Sequence, residues 1–188
     1  MIFRQLYEPL SSTYTYLIGD VNTGQAVLID PVIATMDRDL AEIHKLGLKL
    51  AYTVDTHIHA DHITAALEMK RAVGSKIAAP AYDRLACADV GLEEGIPFKV
   101  AGITLHPLHT PGHTAGHVAY LFNERVFTGD ALLIEGCGRT DFQHGDADAL
   151  YNSVRQKLFS LPDETLVYPA HDYKERFVSA IAQEKKRN

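Results

Sequence analysis

The sequence predicts an α+β domain spanning residues 1–188, in which two packed sheets carry helices on their outer faces. Three observations predict it. Short runs rich in β-branched and aromatic residues come in two batches, each accompanied by segments of helical periodicity, and a pair of sheets with helices outside satisfies that pattern. Four times a strand ends in a residue able to ligate a metal, at His57, His113, Asp130 and His171, so the strand ends should converge on one rim. The composition, 46% hydrophobic and 22% charged over 188 residues, is that of a soluble globular chain long enough to bury a full core.

In chain order, residues 2–7, 13–19 and 25–30 read as an antiparallel meander interrupted by Pro9-Leu10-Ser11-Ser12 and Asn22-Thr23-Gly24. A helix over 37–47 follows, with Leu40, Ile43 and Leu46 on one side and Gly47 as its stop. The apolar run 48–55 has strand length and delivers the chain into Thr56-His57-Ile58-His59-Ala60-Asp61-His62. A helix from about His62 to Val73 ends at Gly74, residues 76–80 form a strand, and 81–90 form a short helix carrying Cys87. Segments 98–100 and 103–110 make a hairpin around Ala101-Gly102, and Thr110-Pro111-Gly112-His113-Thr114 is a rigid turn that presents a histidine. Strands 117–122 and 125–128 come next, the second running into Gly129-Asp130. After the loop 135–142, a helix over 146–160 buries Leu150, Val154 and Leu158 at i, i+4, i+8. The last strand, 166–168, leads into Pro169-Ala170-His171-Asp172-Tyr173, and a final helix from about Lys174 turns Phe177, Val178 and Ile181 inward. Lys185, Lys186 and Arg187 suit the C-terminal end of that helix dipole.

A formal net charge of -6 argues against nucleic acid or an anionic membrane as a partner. Any anionic substrate must therefore meet a local cation. The two cysteines, Cys87 and Cys137, belong to no Cys-x-x-Cys pattern, so neither a disulfide scaffold nor a zinc ribbon is indicated. A reducing compartment and a cytoplasmic location are expected, since no secretory leader pattern and no run of membrane-spanning length is seen.

No packing argument asks for four metal-liganding side chains in six positions, as His57, His59, Asp61 and His62 provide. Together with His113, Asp130 and His171, this set resembles the metallo-β-lactamase superfamily, whose motifs are filled here in order over nearly the whole chain. The resemblance implies a metallo-β-lactamase-type four-layer αββα sandwich. In the hydrolases of that superfamily, His57, His59 and His113 would hold one metal, Asp61, His62 and His171 a second, and Asp130 would bridge. Such a site lowers the pKa of bound water to about 7. Two histidines and one carboxylate on one face of a single ion make instead the arrangement of non-haem Fe(II) oxygenases. Ligand counting leaves both open.

A second stretch, Gly136-Cys137-Gly138-Arg139-Thr140-Asp141-Phe142 with Gln143 and Gly145-Asp146, is similar to the signature of persulfide dioxygenases. So is Tyr168-Pro169-Ala170-His171-Asp172-Tyr173-Lys174. This resemblance implies one Fe(II) per chain on His57, His113 and Asp130, with His59, Asp61, His62 and His171 orienting ligands and water around it. The implied substrates are glutathione persulfide and O2, and the products sulfite and glutathione. Glutathione carries two carboxylates, which makes Arg139 the first candidate to hold it, through a bidentate fork, and Tyr173 the second, through its hydroxyl. Cys137 is either an oxidisable thiol or a packing residue; His44, His106, His109, His117 and His144 are read as structural or exposed.

Two departures stand out: His144 replaces a small or amide residue, and the chain stops at Asn188 where related dioxygenases continue, so the C-terminal part is expected to be shortened. The alternative is a hydroxyacylglutathione hydrolase (glyoxalase II-type) with two metals, which resembles the Arg139 loop less. A metal-bound sensor without turnover is disfavoured by the full ligand set, and a β-lactamase by the missing secretion signal. The oligomeric state, a homodimer included, stays open.

Overall fold

In the computed structural model, which describes residues 1–174 and 176–188, two six-stranded sheets face each other. The first holds, in spatial order, β1 (Ile2–Glu8), β2 (Thr13–Asp20), β3 (Gln25–Ile29), β4 (Lys49–Val54), β5 (Lys76–Pro80) and β6 (Val90–Leu92). The second runs β7 (Phe98–Val100), β8 (Ile103–His109), β9 (Val118–Phe122), β10 (Arg125–Gly129), β11 (Leu166–Pro169) and β12 (Ser179–Ala180).

The expected meander is present, β1, β2 and β3 pairing antiparallel. Six of the ten strand pairings are antiparallel; the exceptions are β3 to β6, which pair parallel, and β10, which pairs parallel with β11. The cause lies in the connections. Helices α1 (Met36–Lys45) and α2 (Ala66–Val73) carry the chain back along the sheet before β4 and β5, and such crossovers set neighbours parallel. Parallel pairing brings the C-terminal ends of β3 and β4, and of β10 and β11, to one edge.

Period-two alternation distributes each strand between layers. From β2, Tyr14, Tyr16 and Ile18 enter a core between the sheets, where they meet Ile103, Leu105, Tyr120 and Phe127. Leu17 points the other way and packs with Leu28, Ile43 and Met69 under α1 and α2. On the far side, Val126 and Val167 pack with Leu150, Leu158 and Ile181 under α3 (Ala147–Asn152) and α4 (Ile181–Arg187). The result is the four-layer αββα sandwich, and each fully buried Leu, Ile or Phe contributes about 1.5–3 kcal/mol to it.

Four local expectations are corrected. The helix expected to start at His62 starts at Ala66, because Ile63 and Ala65 are used in backbone pairing with Ile33 and Pro31. Residues 81–90 are not a helix: one 3₁₀ turn, Ala81–Asp83, ends at Arg84 with φ +49, and β6 follows. The Asp89 carboxylate accepts from Lys70 at 2.7 Å and from the Ile77 N–H at 2.8 Å, which holds this segment beside β5. The helix expected over 146–160 stays helical but changes pitch, passing from α3 through a π turn, Ser153–Lys157, to a 3₁₀ turn, Leu158–Ser160. Finally, the C-terminal helix begins at Ile181 and not Lys174; Glu175, within the expected helix, lies outside the described residues. Phe177 takes φ +67, which no α-helix continues, and Phe177 and Val178 are exposed where burial was expected.

Candidate metal centre

The strand ends meet on one rim, and hydrogen bonds there decide which atoms face inward. At the end of β3, Asp30 accepts the Thr56 N–H at 2.7 Å and the Thr56 hydroxyl at 2.9 Å. With its one O–H already engaged in the hydrogen bond to Asp30, Thr56 Oγ1 can only accept from His57 Nδ1–H, at 2.9 Å. His57 is left with a lone pair on Nε2. His113, in the turn after β8, donates Nδ1–H to the Arg139 carbonyl at 2.8 Å and likewise keeps Nε2 free.

Both Nε2 atoms face Asp130 Oδ2, at 3.9 Å from His57 and 3.4 Å from His113. The three donor atoms lie within 4.8 Å of one another, a span that one ion with bonds of about 2 Å closes. Their protonation suits a cation. Burial drives His57 well below its ordinary pKa, leaving the ring neutral. For Asp130, burial pushes the pKa up, but the His171 hydrogen bond and charge outweigh it, and the carboxylate is held below its usual range.

A relay backs this trio. His171 Nδ1–H donates to Asp130 Oδ1 at 2.7 Å and Nε2–H to Asp61 Oδ2 at 2.9 Å, while Asp61 Oδ2 also accepts from His62 Nδ1–H at 2.9 Å. Burial opposes a proton on His171, yet the bonds to Asp130 and Asp61 dominate and raise its pKa to about 10. Both ring nitrogens therefore donate. His59 Nε2 meets Asp30 Oδ1 at 3.2 Å. Its Nδ1, and Nε2 of His62, are buried without a hydrogen-bond partner among the described residues. His59, Asp61 and His62 form a second trio with donor atoms inside 4.8 Å, so the donors for a second ion are also assembled.

A cavity of about 480 Å³ opens over the first trio, lined by Asp61, His113, Asp130, Cys137, Arg139 and Tyr173. Arg139 forks onto the Asp141 carboxylate at 2.7 and 2.8 Å and leaves 66% of its side chain exposed. Tyr173 is 72% exposed and stacks its ring 6.1 Å from that of His171. Both sequence candidates for substrate contact thus stand in the cavity wall, although one edge of the Arg139 guanidinium is occupied. From the sequence, Asp30 and the Thr56 side chain carry no assigned role, and His117 reads only as structural or exposed. Asp30 ends a strand as His57 and Asp130 do, and that signal could have found it. His117 is fully buried, and burial pushes its pKa down to about 3.

Sandwich and site together define a metal-binding protein of the metallo-β-lactamase superfamily, whose family pattern matches residues 9–171. Human mitochondrial persulfide dioxygenase ETHE1 is 45% identical over 190 aligned residues, which cover 100% of this chain and 75% of that protein. The crystal structure of ETHE1 from Myxococcus xanthus superposes with a TM-score of 0.98 at 52% identity, covering 100% of this chain and 83% of the other. A hydroxyacylglutathione hydrolase of Methylococcus capsulatus is 35% identical over 168 residues, 87% of this chain and 64% of its own length. Within the superfamily, the chain belongs to the persulfide dioxygenase family. The expected fold and the expected family are both borne out.

Proposed function

We propose that this protein is a persulfide dioxygenase that converts glutathione persulfide, O2 and water to glutathione and sulfite at one Fe(II) held by His57, His113 and Asp130. The observation that carries this reading is full-length similarity to persulfide dioxygenases joined to one carboxylate and two imidazole lone pairs converging at the cavity floor. The balance closes: the outer sulfur loses four electrons, O2 takes them, and water supplies the third oxygen of sulfite while its hydrogens leave as protons. When bound, the iron supplies open coordination positions at which O2 and a thiolate-type sulfur can meet.

The chain's own residues do the rest. His171, donating at both nitrogens, holds Asp130 with Oδ2 toward the two Nε2 atoms. Asp61 lines the cavity as an anion and in this reading orients the water that hydrolyses the oxidised sulfur. Arg139 is the cation in the wall of an otherwise acidic protein. To take a glutathione carboxylate it must share its guanidinium with Asp141, using the donors that the fork leaves free.

A second reading, thioester hydrolysis at two metals, draws support from the second trio and its unpartnered His59 Nδ1 and His62 Nε2. Metal analysis with oxygen uptake on glutathione persulfide separates the two. One iron per chain and stoichiometric sulfite are expected. Two zinc ions per chain with S-lactoylglutathione hydrolysis and no oxygen uptake would overturn the proposal.

A further inference from the structure

We infer that His117, which belongs neither to the cavity lining nor to the groups of potential metal donors among the described residues, is the positioning residue that ties His57, His113 and Asp130 into one frame. The inference rests on reading those three residues as the metal ligands. Its basis is the single tautomer that its partners allow. The Asp130 backbone N–H points at His117 Nε2 from 3.1 Å. A backbone N–H can only donate, so Nε2 must carry a lone pair and the ring proton must sit on Nδ1. From there it reaches Thr110 Oγ1 at 2.8 Å.

Each of these contacts leads to a different ligand. Thr110 opens the turn that presents His113, and its own N–H donates back to the His117 carbonyl at 2.9 Å, so side chain and backbone of His117 together clasp both ends of that turn. The Asp130 amide is the backbone of the carboxylate ligand itself. The His117 ring stacks beneath His57, with centroids 5.0 Å apart and planes 25° from parallel. One step along, the Val118 N–H donates to Thr56 O at 2.9 Å, joining β9 to the strand end that carries His57.

The sequence makes room for this. Gly129 takes φ +51, and a Cβ there would stand closer than 3.0 Å to His117 Nε2 and 2.8 Å from Thr56 Oγ1. Only glycine lets the imidazole reach the amide that follows.

The first test reads the tautomer in ¹⁵N-labelled, Zn(II)-loaded protein. Expected are a protonated Nδ1, an unprotonated Nε2 and scalar coupling between Nε2 and the Asp130 amide nitrogen. A protonated Nε2 overturns the inference. The second uses Co(II) as probe, with affinity from chelator competition and geometry from the visible spectrum. His117→Phe keeps a ring against His57 but removes both hydrogen bonds. It should weaken Co(II) binding about tenfold or more and shift the bands, while His117→Gln, which can still accept from Asp130, recovers most of the loss. Wild-type affinity in His117→Phe, or equal loss in both variants, overturns the inference; should neither fold, the labelled wild type decides alone. Asp130→Ala run in parallel separates the two readings: undiminished Co(II) binding there would remove the ligand assignment, while the tautomer result stands.

Discussion

Gly112→Ala tests whether the turn bearing His113 is held by packing against α3. Gly112 has φ +137, and a Cβ added there would lie closer than 3.0 Å to the backbone N and Cα of Leu150. Helix backbone cannot swing aside as a flexible side chain can, so the turn would have to retreat by roughly 1 Å to restore ordinary contact. The backbone conformation costs a residue with a Cβ about 1–3 kcal/mol, and the forced overlap about as much again. A total near 4 kcal/mol corresponds to a fall in Tm of roughly 8–16 °C for a chain of this size. The displacement also reaches the site, because the Gly112 carbonyl accepts from the Asp146 N–H at 2.8 Å and its N–H donates to Thr114 at 3.0 Å. His113 sits between them. The Tm of the metal-loaded protein by calorimetry and its metal content after equilibration with a chelator should both fall. Gly136→Ala is the control, since a Cβ there meets nothing within 4 Å. A Gly112→Ala protein that melts like its parent with full metal content would refute the reasoning.

Asp130→Ala removes one of the three donors proposed to hold the metal and leaves His171 without its Asp130 partner, so metal content should drop to background; full occupancy would contradict the proposed role. Arg139→Ala should raise the KM for glutathione persulfide about 5- to 20-fold, the worth of one charge-assisted hydrogen-bond pair, with metal content unaltered; an unchanged KM removes Arg139 from the substrate wall. Tyr120 is fully buried and its hydroxyl donates to the Asp55 carbonyl at 2.7 Å, two residues before His57. Tyr120→Phe should cost about 1–2 kcal/mol, visible as a lower urea midpoint at constant m-value, and no change in midpoint would show that bond to be worthless.

What the sequence disclosed and what it hid divide along physical lines. His57, His113, Asp130 and His171 were legible because each interrupts an apolar, strand-like run with a ligating side chain, which is a local event. Strand direction was legible in the meander, where β1, β2 and β3 pair antiparallel as expected, but not where β3 to β6 and β10 with β11 run parallel. All eight residues of β2 are buried, and alternation reports the face a side chain takes, never the sense of the neighbouring strand. Residues 81–90 carry helix-forming Leu85, Ala86 and Ala88, but Asp89 is bound by Lys70 and Ile77, partners that arrive only when the sheet forms. The same distinction runs through the site itself. A histidine becomes a ligand when one nitrogen is stripped of its proton, and that choice belongs to remote groups: Asp30 through Thr56 for His57, the Arg139 carbonyl for His113. Asp130 is aimed by His171, forty-one positions away. Local sequence therefore announces which residues can bind a metal, whereas the tautomers that let them do so exist only once both sheets have closed.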